Sequence, residues 1–349
     1  MRQLTARDEA ILDAVQTRCA VFGRDELLAV RVSGRDAVKF LHAMITQDVK
    51  ALSPAGADSA CLCDPQGAIL ATLLVVVHGS EAVLWTDRSR AAGLVDALDR
   101  YVIADDVTLL LDESVALCEW VGPMAPALAQ AIFGAEAQRV PTFERVAGHS
   151  VLSWRADLAT TPSPWWQAAP RYWMQVDRDA LGDVAAALVE AGAQPGSHAA
   201  REALRVACGE PRLGLDVDDG SLPLEVGLAA AVSFRKGCYL GQEAIAMMKY
   251  RGQPRRYLAW VSGEVAAPDV GAGWLLRTAE GKRAGRLGTC VRATDGTWRG
   301  LAVVQRKMVE HGARFTAHGE AEDEPATVTL VATTMPLASE TPAGQGPSP

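Results

Sequence analysis

The apolar positions alternate along some stretches of the chain and recur at helical spacing along others, dividing it into short strands and helices. Leu27 to Val32 reads as a strand. After Ser33-Gly34, the apolar Ala37, Phe40, Leu41 and Met44 share one face of a helix predicted over Asp36 to Ile45, with Ser33 or Asp36 as its cap. Ala60 to Asp64, a turn at Pro65-Gln66-Gly67 and Ala68 to Val77 form a hairpin pattern, followed by a strand over Ala82 to Trp85. A helix is predicted over Arg88 to Tyr101, and strands over Val107 to Leu111 and Val115 to Val121. Residues 124 to 200 repeat the vocabulary, with helices over Ala125 to Phe133 and Leu181 to Ala191, strands near Val151 to Arg155 and Tyr172 to Val176, and a Pro- and Trp-rich loop over Thr160 to Pro170. Such short strands and helices with hairpins among them predict an α+β class and not a doubly wound sheet.

Beyond Arg256 the texture changes to short apolar runs separated by glycines (Gly263, Gly271, Gly273, Gly281, Gly285, Gly288, Gly296), the pattern of a small antiparallel barrel. The expected organisation is an N-terminal helix (1–24), a central α+β region (25–255), a barrel (256–335) and a disordered tail (336–349). At 349 residues the chain exceeds one ordinary core, which agrees with several domains. The longest apolar run, Ala68 to Val77, is too short to span a bilayer, and the charged start (Asp8, Glu9, Asp13 beside Ile11, Leu12, Val15) lacks the character of a targeting segment. A cytoplasmic protein is therefore expected. Seven cysteines without regular spacing predict reduced thiols.

Charge changes the picture. The formal net charge of −8 argues against a general nucleic-acid binder, but five of the eight excess negatives (Glu320, Glu322, Asp323, Glu324, Glu340) lie beyond His318, leaving −3 for residues 1–318. From Arg235 to Arg256 the balance reverses: Arg235, Lys236, Lys249, Arg251, Arg255 and Arg256 face only Glu243.

Candidate chemistry lies in that stretch. The chain has no Walker-type phosphate loop, dinucleotide glycine fingerprint or nucleophile-elbow serine. Cys61 and Cys63 are one residue apart, no Cys-x-x-Cys is present and the six histidines are scattered, so no metal site is expected. In Lys236-Gly237-Cys238-Tyr239-Leu240-Gly241-Gln242-Glu243, an apolar strand-like run (Ala230 to Phe234) precedes and a helical run follows, which predicts a strand-to-helix turn. Cys238 would then sit near a helix N-terminus beside Arg235 and Lys236, where a thiolate is stabilised. The bland alternative is that the glycines only shape a turn and Cys238 packs inward. Upstream, Arg205, Gly209, Pro211, Gly214, Asp216 and Pro223-Leu224-Glu225 punctuate a long irregular connection of the kind that carries binding residues. Glu225 suits an exocyclic amino group through a charge-assisted hydrogen bond, or an ion pair with Arg205 or Arg235.

The octapeptide resembles the K-G-C-[FY]-x-G-Q-E signature of the YgfZ-type folate-binding proteins, relatives of the glycine cleavage T protein that serve in iron-sulfur cluster assembly. Val32 to Ala37 with Phe40-Leu41 and Thr46 to Val49 is similar to that family's opening unit, Arg205 to Glu225 to its central loop, and Lys249-Tyr250-Arg251-Gly252 continues the pattern, so the resemblance spans roughly residues 26 to 335. It implies tetrahydrofolate in a central hole between two interleaved α+β modules and a C-terminal barrel, with the basic stretch facing the anionic glutamate tail. It further implies folate contacts from Arg205, Glu225, Arg235, Tyr239, Gln242, Glu243 and Arg251. Cys238 would be thiolate donor or transient cluster ligand, tuned by Lys236. Partners would be iron-sulfur client enzymes, including tRNA-modifying ones, or assembly proteins, with no direct nucleic acid and no membrane; a monomer is expected.

Two departures separate the branches. Where the related aminomethyltransferases carry G-G-x-x-D-D, this chain has Gly67-Ala68-Ile69-Leu70-Ala71-Thr72, and neither Ala71 nor Thr72 supplies a carboxylate. Where their central loop reads R-[LI]-E-x-G, it has Arg205-Val206-Ala207-Cys208-Gly209, and Ala207 cannot bond a pterin. Each lost charge-assisted bond costs roughly 1.5 to 3 kcal/mol unless Glu225 or another group substitutes. These departures weaken a folate-dependent aminomethyltransferase reading more than folate binding, and a non-catalytic scaffold is the third alternative.

Overall fold

A computed structural model describes residues 2–134, 140–155, 164–166, 169–263, 272–309, 313–319 and 326–333. The tail expected at 336–349 and part of the 160–170 loop lie outside the described residues.

The first module is a five-stranded antiparallel sheet in the order Ala55–Cys63, Ile69–His78, Glu81–Asp87, Leu27–Ser33, Thr108–Asp112. Period-two alternation gives the sheet two apolar faces. One carries Val30, Val32, Leu62, Val75 and Leu84 against the helices Ala37–Met44 and Ala91–Asp99. The other sets Ala29, Val76 and Trp85 against Leu117, Trp154 and Trp173 of the second module. The helix expected over Arg88 to Tyr101 is shorter, because Arg88–Arg90 forms a 3₁₀ turn started by the Asp87 carboxylate.

The second module is a six-stranded sheet in the order Gln194–Pro195, Ala20–Gly23, Val115–Val121, Arg171–Asp177, His149–Arg155, Thr142–Val146, covered by Ala125–Phe133 and Leu181–Glu190. The expectation of one N-terminal helix over 1–24 is corrected here. The helix spans only Ala6–Thr17, Ala20–Gly23 is an inner strand of the second module, and Arg2–Gln3 pairs in parallel with Val291–Arg292 of the barrel. Ala20, Val21 and Phe22 are all buried: Ala20 and Phe22 pack with Ile11 and Val15, Val21 with the core of the second module, so layers on both faces cover the strand.

The third module is a closed six-stranded antiparallel barrel: Arg283–Arg292, Leu275–Arg277, Arg314–His318, Ala326–Thr333, Arg256–Gly263 and Trp298–Gln305, the last pairing back with the first. Val261, Leu276, Leu287, Trp298 and Phe315 fill its interior. The helix His198–Cys208, buried from Ala200 onward and ended by Gly209 in the left-handed region (φ 71°), lies where the modules meet. Trp260 Nε1 of the barrel donates to Val206 O (2.9 Å) and Arg205 Nη2 to Thr289 Oγ1 (2.7 Å). Among the described residues no helix is long and apolar enough to cross a membrane.

Candidate functional site

One face of the helix His198–Cys208 (Arg201, Glu202, Arg205) closes a cavity of about 420 Å³, with Thr72 and Trp85 from the first module and Arg171 and Trp173 from the second on its other walls. That volume lies within the range of small-molecule sites. A buried ionic network forms part of that wall. Arg24 Nη1 donates to Glu119 Oε2 (3.1 Å) and Arg24 Nε to Glu26 Oε1 (2.6 Å), while Arg201 bonds Glu119 and, at 2.9 Å, Glu210 Oε2; Arg171 Nη1 lies 2.9 Å from Glu210 Oε1. Burial alone would raise the Glu210 carboxyl, but the Arg171 and Arg201 guanidiniums override it and hold the group well below the usual carboxylate range. Charges so deep persist only when paired, so the network fixes the walls in place.

Arg24 and Arg171 lie over the Trp173 ring at 5.1 and 5.9 Å, and the buried Trp173 indole N–H has no partner among the described residues. Asp58, on the first-module rim, accepts its own Ser59 N–H at 2.7 Å, pairs with no cation among the described residues, and has its carboxyl pushed up by burial. Sequence reasoning missed Asp58 and the Arg24–Glu119–Arg171–Arg201–Glu210 network. The available signal was Glu119, a charge inside the otherwise apolar strand Val115–Val121.

Of the residues expected to contact a cofactor, only Arg205 lines this cavity, and its guanidinium is fully engaged by Glu202, Asp216 Oδ2 (2.5 Å), Glu210 O (2.7 Å) and Thr289. It joins the helix to the barrel. Glu225 is buried and pairs with Arg256 Nε (3.1 Å), not with Arg205 or Arg235, while capping Leu222 N–H at 3.2 Å. Tyr239 packs into the core beside Cys61 and Cys63, with its hydroxyl pushed up by burial. Arg235 and Glu243 are exposed, Gln242 opens the helix Gln242–Arg251 with its N–H on Tyr239 O (3.2 Å), and the Arg251 side chain lies outside what is described. None of these residues lines the cavity, so the basic stretch does not face it.

The signature forms a separate surface feature. No strand precedes it: Ala229–Ala231 is a 3₁₀ turn, held by Thr46 Oγ1 donating to Ala231 O (2.6 Å) and Ser233 N–H to Thr46 O (2.9 Å). Lys236 is buried. Its ammonium donates to the carbonyls of His42, Ile45 (2.7 Å) and Gln47 (2.9 Å), at the C-terminal end of the helix Ala37–Met44, and lies 4.8 Å from the Tyr239 ring centre. Burial lowers its pKa to about 8, so at neutral pH it remains the three-donor ammonium. All three donors are engaged by carbonyls, so Lys236 positions the loop and is not a free cation beside Cys238. Gly241 takes φ +80° and packs on the Asp64 carbonyl and Gly67. Cys238 lies four residues before the helix begins at Gln242. It is the one exposed thiol of the seven; the others are buried. Among the described residues no three His, Cys, Asp or Glu side chains cluster as a metal site.

Two α+β modules facing each other across a cavity, with a closed barrel beside them, form the architecture of the glycine cleavage T class. The family model described as the GCVT N-terminal domain matches residues 3–236, and the chain belongs to that family. Within it, the sequence is similar to proteins named tRNA-modifying protein YgfZ. With that of Edwardsiella ictaluri it shares 29% identity over 279 residues (78% of this chain, 80% of the relative), and with that of Sodalis glossinidius 29% over 266 residues (76% and 77%). Among solved structures, glycine cleavage system aminomethyltransferase T from Bartonella henselae superposes with a TM-score of 0.76 over 93% of this chain and 88% of that one, at 17% identity, a likeness of fold.

Proposed function

We propose that this chain is a YgfZ-type protein that binds a reduced folate in the cavity between its two α+β modules and assists assembly or repair of iron-sulfur clusters in client enzymes, tRNA-modifying ones among them. The observation that carries the reading is the exposure of Cys238 on a loop clamped by Lys236 and Gly241, while the six other thiols are withdrawn into cores. Its relatives' name, tRNA-modifying protein YgfZ, supports the client class.

The cavity suits a pterin. Leu73, Leu74 and Leu213 give the lining apolar surface, and Glu202 and Asp58 supply acceptors for amino groups. When bound, a reduced folate supplies an electron-rich pterin that carries one-carbon units. The chain's residues orient it and keep its ring from water. On the opposite side of the function, Cys238 offers one thiolate to a cluster or sulfur-bearing group delivered by a client. One thiolate cannot hold a cluster alone, so the partner supplies the remaining ligands.

The aminomethyltransferase alternative lacks its carboxylate. Thr72 lines the cavity, and Ala71 is buried in the first-module core. Complementation of a strain lacking the protein tests the proposal: Cys238→Ser should leave client activity at the level of the deletion while the protein accumulates normally. Restoration equal to the parent's would refute the role of Cys238.

A further inference from the structure

The basic residues that neighbour Cys238 in the chain do not line the cavity. Six basic side chains occupy Arg235 to Arg256. Lys236 is buried among carbonyls and Arg256 is paired with Glu225. Arg235, Lys249 and Arg255 remain exposed, with Glu243 the one acidic residue in the stretch.

Arg235 adjoins Phe234 in the chain, and Arg255, five residues beyond Tyr250, lies within about 17 Å of it by chain reach. Lys249 Nζ lies 3.3 Å from the Phe234 ring centre and 5.6 Å from that of Tyr250, and the two rings meet edge to face at 6.5 Å. Phe234 therefore sits at the C-terminal end of the helix Gln242–Arg251, while Gly241 sits at its start. The loop carrying Cys238 runs back along the helix, so Cys238 lies at most about 14 Å from Phe234 and about 10 Å from Gly241 by chain reach. Beside it the helix exposes Met247 (54%) and Tyr250 (68%), three residues apart on one face. Two exposed apolar anchors, three cations and a thiol fit within one ordinary interface of about 800 Å² per partner, and Tyr, Met and Arg are the residues such interfaces favour.

We propose that this surface docks an acidic patch of a thiol-bearing protein and so selects the partner that meets Cys238. The inference rests on the proposed function for the role of Cys238, and adds the partner's chemistry. A protein fits better than RNA: three cations are few for a phosphate backbone, the chain as a whole is acidic (−8), and Glu243 shares the helix face with Met247.

The test uses purified full-length protein and three short peptides, with acidic, neutral or basic residues flanking one cysteine held as a mixed disulfide with thionitrobenzoate. The Cys238 thiolate attacks the peptide sulfur, the peptide–Cys238 disulfide forms, and coloured thionitrobenzoate leaves with the electron pair of the broken bond, so no other oxidant is needed. At about 0.01 M salt, where charges act over ~30 Å, the acidic peptide should react about tenfold faster than the basic one; at about 1 M, with screening within ~3 Å, the ratio should fall to about one. The chain's overall negative charge opposes this order, so only the local patch can produce it. Arg235→Glu with Lys249→Glu and Arg255→Glu should invert the preference while the neutral peptide reacts as before. If that variant does not fold, the salt dependence of the unaltered protein still decides. Equal rates at low salt overturn the proposal, and so does protection of Cys238 from the neutral peptide by unfractionated tRNA, which would mark an RNA surface. Tetrahydrofolate plays no part in the assay, so failure of folate binding would leave its outcome readable.

Discussion

Replacing Lys236 with methionine tests whether that lysine holds the signature loop or tunes its cysteine. Methionine has similar length and apolar bulk, so packing against Tyr239 is largely kept while three ammonium bonds vanish. Each such bond is worth roughly 1.5 to 3 kcal/mol before desolvation, and returning a buried ammonium to water recovers several kcal/mol of that total. What remains is the cost of leaving the His42, Ile45 and Gln47 carbonyls without a donor at the end of the helix Ala37–Met44. We expect Lys236→Met to destabilise by about 2 to 4 kcal/mol in urea unfolding followed by first-module fluorescence. Lys236→Arg should recover only part of the loss, because a planar fork cannot aim three N–H groups at three converging carbonyls. Loosening the loop should also change the rate at which iodoacetamide alkylates Cys238 in both variants. The reasoning is refuted if Lys236→Met stays within about 0.5 kcal/mol of the parent, or if Lys236→Arg preserves the alkylation rate that methionine alters, the mark of a simple neighbouring charge.

Three further outcomes follow from the same geometry. Arg201→Met leaves the fully buried Glu119 with one partner fewer and should cost about 3 to 5 kcal/mol in urea melts. Gly241→Ala would drive a Cβ into the Asp64 carbonyl oxygen at φ +80°, losing about 2 to 3 kcal/mol and loosening the loop, as hydrogen exchange at Tyr239 to Gln242 would report. Glu210 is held below its ordinary value of 4.5, so its contribution is whole above pH 4.5 and declines as the pH falls below it; the melting-temperature gap between parent and Glu210→Gln should shrink from about pH 5 to about pH 3.

Local pattern made much of the fold legible. Val115–Val121 appears with its expected bounds because its short, mostly apolar run stops at Gly122-Pro123, and the glycine-punctuated runs after Arg256 form the barrel. The 1–24 segment misled because Ala20–Gly23 gains its strand partners from residues near 118 and 194. The site was harder. Arg24, Glu119, Arg171, Arg201 and Glu210 come from distant parts of the chain, and each resembles an ordinary surface charge until the modules converge. Lys236 was paired with Cys238 because they are two residues apart, but a loop imposes no side-chain direction, and the ammonium found helix-end carbonyls instead. Glu225 likewise chose Arg256, at the first barrel strand, over the nearer Arg235.

The most direct test of the account is calorimetric titration of tetrahydrofolate into the parent protein, Cys238→Ser and Thr72→Trp, the last of which fills the cavity from its first-module wall. The account predicts one molecule bound per chain, with equal affinity for the parent and Cys238→Ser, and no binding to a folded Thr72→Trp. No heat of binding to the parent at millimolar folate, or undiminished binding to Thr72→Trp, would contradict it.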